Sequence, residues 1–238
     1  MRGRVGTACL RARLGNKFPG SRVKAGVRLF LLPLLGAAGL LHAGDARLVF
    51  TKTFAGSIPP YVEISVEKDG TTIYKEAPDD RNPITVQLIQ ADCDAMFALA
   101  DKLDHFTRPL ESPLKVAFMG KKTFRYDDGA GQPHEIEFNY SADADAQALL
   151  DWFERIAETE RDFIELERTV KYDKLGVQNA LIQAETTRDQ KRLIAPQQFL
   201  PLLDRVIKNE SYLHMARERA AAFADDIRGV SQTAAPAR

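Results

Sequence analysis

Apolar and polar positions alternate along the chain from Arg47 to Tyr140, and a helical period takes over after that. Period-two alternation marks half-buried strands, because successive side chains leave a strand on opposite faces. In Tyr61–Lys68 it puts Val62, Ile64 and Val66 on one face and Glu63, Ser65 and Glu67 on the other. Asp69-Gly70 then predicts a tight hairpin into Thr71–Lys75. Leu48–Thr53, Ile84–Leu88, Lys115–Phe118, Lys122–Asp127 and His134–Tyr140 complete the predicted strands. Between them, Met96, Phe97, Leu99, Ala100 and Leu103 form the apolar stripe of a helix that Asp92 is placed to cap.

Beyond Tyr140 the spacing predicts only helices. Ser141 or Asp143 suits the cap of a long one, with Leu149, Trp152, Phe153, Ile156, Phe163, Leu166 and Val170 inward. Gly176 interrupts it, a second stretch runs to about Leu193, and Pro196 suits the first turn of a third. Tyr212–Ile227 reads as the last helix. Short turns between consecutive strands imply antiparallel pairing. The expected fold is therefore α+β, an antiparallel sheet with helices on one face, followed by a C-terminal helical extension. The expected divisions are a sheet and helix domain over 47–142, a helical region packed on it over 143–228, and a disordered tail over 229–238.

The hairpin-then-helix layout opens with Phe54-Ala55-Gly56-Ser57-Ile58-Pro59-Pro60-Tyr61 and has a strand ending in Asp69-Gly70. Over residues 47–155 it resembles secreted bacterial domains of unknown function. The resemblance brings no catalytic or binding residue with it.

Charge changes the picture at the N-terminus. The net charge is zero, but of 33 basic side chains eight lie in residues 1–44, which hold no acid. The remaining 25 face 33 acidic groups, a balance of −8 that argues against nucleic acid or an anionic membrane as partner of the folded part. Arg28 precedes Leu29–Leu41, thirteen residues without a charge. A spanning helix needs about 20 apolar residues. The run instead fits the core of a secretory signal peptide over 1–43, cleaved after Ala43, with an uncleaved anchor as the main rival, Ala46 as the rival cleavage site and 1–22 open to reading as an overcalled start. Export by the general secretory route to the periplasm or medium is expected, with no stable membrane span after cleavage and Cys93 as the remaining thiol.

Candidate chemistry is sparse. His105, His134 and His214 fall on separate elements, and only Asp101–His105 and His214 with Glu210 or Glu218 share helical faces, two groups where zinc needs three or four. Asp92 and Asp94 flank Cys93 and oppose a low thiol pKa. Three Ser-x-x-Lys spacings lack their companion motifs. No catalytic residue, metal ligand or cofactor is assigned. Two surfaces remain as candidates for a protein partner in the envelope. One is a cross-strand charge ladder, with Lys121 and Arg125 opposite Glu135 and Glu137. The other is the charged helix around Glu158 and Glu165. The chain thus reads as an exported, non-catalytic binding or interaction protein of the bacterial cell envelope. The alternative is a secreted hydrolase whose site assembles from scattered acids and histidines.

Overall fold

The computed structural model describes residues 46–234, with side chains to Gly229; the expected signal peptide lies outside the described residues. Six strands form one antiparallel sheet: β1 (Arg47–Thr53), β2 (Tyr61–Glu67), β3 (Thr71–Lys75), β4 (Ile84–Gln87), β5 (Lys121–Asp127) and β6 (His134–Phe138). Their order is β4-β3-β2-β1-β5-β6, so the first strand sits inside the sheet between β2 and β5. Hairpin chemistry sets the β2–β3 register. Gly70 takes φ 87°, and a Cβ there would meet Leu88 O at 2.7 Å, so only glycine fits the turn. Asp69 Oδ1 accepts from Thr71 N at 2.8 Å and closes it.

Among the described residues there are five α-helices: α1 (Gln90–Lys102), α2 (Ala144–Tyr172), α3 (Val177–Asp189), α4 (Leu200–Lys208) and α5 (His214–Ala234). The architecture is α+β, with a C-terminal helical region. No helix among the described residues is long and apolar enough to cross a membrane. Asp143 caps α2 by accepting from Asp145 N at 2.9 Å and Ala146 N at 3.1 Å. Asp92 does not cap α1. That helix starts at Gln90 after Ile89, and Asp92 stands within its first turn, where a carboxylate suits the dipole.

Two apolar cores share α2. The first lies between the sheet and α1 with the N-terminal half of α2, and includes Leu48, Phe50, Ile64, Phe97, Leu149 and Phe153. Phe153 stacks on Phe50 at 5.0 Å between centroids, and Phe124 lies 5.8 Å from it. Trp152 only packs against this core from its margin, where Arg155 covers its ring at 4.6 Å. The second core gathers Leu166 and Val170 of α2 with Phe199, Leu203 and Phe223. Cys93 is buried in the first, its Sγ 3.2 Å from Glu67 O, and burial pushes its thiol up.

Three details depart from expectation. Lys115–Phe118 forms no strand; the Asn139 side chain ties that stretch instead, accepting from Met119 N at 2.7 Å and donating to Ala117 O at 3.1 Å. α5 runs from His214 to Ala234, past Ile227 where the sequence reading ended the last helix and into the expected disordered tail. After Leu103 the helix ends in a turn that the sequence did not announce: Asp104, His105 and Phe106 take φ of 52°, 50° and 65°, a run of left-handed residues. Each costs about 1–2 kcal/mol for a residue with a Cβ. Burial of Phe106, whose ring lies 5.3 Å from that of Phe124, offsets part of that.

Candidate functional site

The pleat that sends Leu48, Phe50, Ile64 and Phe124 into the core sends Arg47, Val49, Thr51, Glu63, Ser65 and Arg125 to the other face of the sheet. These side chains, with Ile73, Lys75, Thr123 and Glu135, line a concavity of about 310 Å³. Antiparallel register makes the pairs. Glu63 stands opposite Lys75 and accepts from its Nζ at 2.6 Å, while Tyr61 donates to the same carboxylate at 2.7 Å. Burial acts to raise the Glu63 pKa, but the hydrogen bonds from Lys75 and Tyr61 outweigh it and hold the carboxyl below its ordinary range. Partial burial and the Glu63 carboxylate push the Tyr61 phenol up.

On the other side of β1, Asp127 is shared by two guanidinium groups, Arg47 at 3.4 Å and Arg125 at 3.7 Å. Arg125 faces Glu135 across the β5–β6 ladder, yet its Nε is buried with no hydrogen-bond partner among the described residues. Lys121 reaches diagonally to Glu137 at 2.5 Å. Lys121, Arg125, Glu135 and Glu137 are thus brought together on one surface. Arg47, Lys75 and Asp127 belong to it as well and escaped the sequence reading. Lys75 carried a signal, since it sits across the Asp69-Gly70 hairpin from Glu63. Arg47 and Asp127 carried none, because their meeting depends on β1 pairing with β5.

Glu158 and Glu165 do not join this surface. Glu158 accepts from Arg192 Nε at 2.5 Å, and Asp151 takes the same guanidinium at 2.8 Å. Glu165 pairs with Arg168 at 2.7 Å along the helix. Between them the stretch is not a solvated acidic face, because the C-terminal helices cover it. Glu160 is 1% exposed and accepts from Gln198 Nε2 at 2.9 Å. Asp162 is 7% exposed and accepts from Thr187 Oγ1 at 2.6 Å. Burial pushes the Glu160 carboxyl up to about 7, against the hydrogen bond from Gln198, and raises that of Asp162 in the same direction.

A smaller hollow of about 170 Å³ is lined by His105, Tyr126, Asp128, Gln132 and His134. The left-handed turn lays the His105 ring 4.1 Å from that of Tyr126, and its Nε2 lies 2.7 Å from Asp101 Oδ1. Backbone N–H groups of Ala130 and Gly131 hold the Asp128 carboxyl below its ordinary range. Among the described residues no group of three His, Cys, Asp or Glu side chains is placed to hold a metal ion. Comparison with protein families and with curated proteins finds no match to this chain.

Proposed function

We propose that the protein is an exported, non-catalytic binding protein of the bacterial cell envelope, and that the open face of its sheet is the contact surface for a protein partner. The observation that carries this reading is the charge arrangement in the open concavity. Glu63–Lys75 and Arg47–Asp127–Arg125 are fixed by strand register around the apolar Val49 and Ile73. A rigid surface of alternating sign over a small apolar centre orients a complementary partner and rejects others, at little cost in ordering. The basic segment and apolar run before Ala43 support export. A photo-cross-linking amino acid at Ser65, in the centre of the face, should capture a discrete envelope protein in cells, and the same group at Glu167 on α2 should not. Equal capture from both positions, or none from Ser65, would count against the reading.

The second reading, a hydrolase, is favoured by the Asp101–His105 pair. A carboxylate that fixes one ring nitrogen leaves the other free as a general base. Here Tyr126, His134 and Asp128 border the same hollow. Hydrolysis of a chromogenic ester that is lost in His105→Gln and kept in His214→Gln would move the assignment to this site.

A further inference from the structure

A cleft separates the β1–β2 loop from the middle of α2, on the helix-covered side of the sheet. It encloses about 230 Å³ over Phe50 and Val62, with Ile58 and Pro59 on its lip. Four charged side chains line it: Lys52 from β1, and Glu154, Glu158 and Arg161 from α2. Glu158 is already bound to Arg192. Arg161 uses its Nε on Ala157 O at 3.4 Å and keeps the rest of its guanidinium at the exposed rim. Lys52 and Glu154 are different. Both are half-buried, both face the cleft, and neither makes an ion pair or hydrogen bond among the described residues, although they carry opposite charges; the Lys122 ammonium, bound to Asn139 O at 2.7 Å, acts on both only at longer range. They stand on different rigid elements across the opening and do not reach each other.

We propose that this cleft binds a small zwitterion bearing an apolar group, in chemical class a free aliphatic or aromatic α-amino acid. Lys52 receives the carboxylate, with Arg161 beside it at the rim, and Glu154 receives the ammonium. The apolar side chain lies against Ile58, which is 90% exposed, and Pro59, with buried Phe50 and Val62 beneath. Each contact is of a kind the cleft lacks now: a hydrogen-bonded partner for Lys52, another for Glu154, and cover for the exposed Ile58. The volume falls below the roughly 300–1,000 Å³ of sites for drug-sized ligands, as suits a ligand of amino-acid size. A purely anionic ligand would leave Glu154 facing it, and a purely cationic one would face Lys52 and Arg161. The site lies across the sheet from the open face, so it stands or falls independently of the partner surface.

The test is calorimetric titration of the purified protein with L-leucine, L-methionine and L-phenylalanine. Two one-charge analogues of leucine accompany them, 4-methylpentanoate and isoamylamine. At least one amino acid should bind saturably, and 4-methylpentanoate and isoamylamine should each bind more weakly than leucine. Lys52→Gln and Glu154→Gln should each weaken binding about tenfold to a hundredfold, the value of one charge-assisted hydrogen bond. Unchanged melting curves would show that both variants keep the fold. The proposal is overturned if no amino acid binds more tightly than about 1 mM. It also falls if binding survives both substitutions unchanged, or if 4-methylpentanoate binds as well as leucine.

Discussion

The two halves of α2 do different jobs with different chemistry. Its N-terminal half meets the sheet through Leu149, Phe153 and Ile156, an apolar stripe that any helix of the right period presents to a sheet. The middle of the helix meets the C-terminal region through polar groups. Thr159 Oγ1 accepts from Ile194 N at 3.0 Å, Glu160 from Gln198, and Asp162 from Thr187. Dispersion and the hydrophobic effect tolerate sliding, whereas a buried hydrogen bond is lost within a fraction of an ångström. Apolar packing holds α2 on the sheet, and three polar contacts, from α3 and the connection that follows it, fix the register of the C-terminal region against it. Beyond them, Leu166 and Val170 return to apolar packing in the second core.

The largest effect should come from Phe153→Ala, which empties the centre of the first core between Phe50 and Phe124. A loss of about 3–5 kcal/mol is expected in a denaturant melt. A loss below about 1 kcal/mol would mean that the N-terminal half of α2 is not the anchor.

The polar junction should show itself through pH. Glu160 has its carboxyl pushed from 4.5 up to about 7 by burial, and its Oε2 has no hydrogen-bond partner among the described residues. Between these two values the folded chain keeps a proton that the unfolded chain has released, so stability falls as pH rises through this window. It is level, for this group, on either side. The shift corresponds to about 3 kcal/mol. The raised Asp162 adds in the same direction, while Glu63 and Asp143, which are lowered, act only at more acid pH. Melts at pH 5 and pH 8 should therefore show the wild type weaker at the higher pH. Glu160→Gln, which retains an acceptor for Gln198, should remove most of that difference. Equal wild-type stability at both pH values would show that the junction admits water.

Trp152 sharpens the same comparison at smaller scale. It was expected in the core beside Phe153, but it lies at the margin under Arg155. Trp152→Ala should cost about 1–2 kcal/mol, the value of a partly buried ring. A cost equal to that of Phe153→Ala would erase the distinction between the two neighbours.

What was legible follows from the range of each interaction. Alternation and turn chemistry are local, so β2, β3 and most of the inward set of α2, Trp152 apart, could be read from the residues alone. The pairing of β1 with β5 joins Arg47 to Asp127 across 80 residues, and no local period encodes it. The acids of α2 misled for the same reason. Glu158, Glu160 and Asp162 look like a solvated run, and only their partners 25–38 residues away show that the stretch is covered. The four ladder residues Lys121, Arg125, Glu135 and Glu137 needed only a hairpin, and they do share one surface. The left-handed turn at His105 had no glycine to announce it.

The smallest stability effect should come from that ladder. Lys121→Glu with Arg125→Glu puts carboxylates beside Glu137 and Asp127, on side chains 54% and 39% exposed. Exposed pairs contribute about 0–1 kcal/mol each, because water screens them and long side chains lose entropy when held. The double change should therefore lower stability by no more than about 2 kcal/mol, while abolishing cross-linking from Ser65. Glu160 and Glu137 are the same residue type under opposite conditions. One is buried, so its charge shows in the stability of the fold; the other is exposed and paired with Lys121, so its charge weighs little in that stability. A loss larger than that of Phe153→Ala would reverse this assignment. The paired charges of the open face would then hold the sheet together, and the contact surface would have to lie elsewhere.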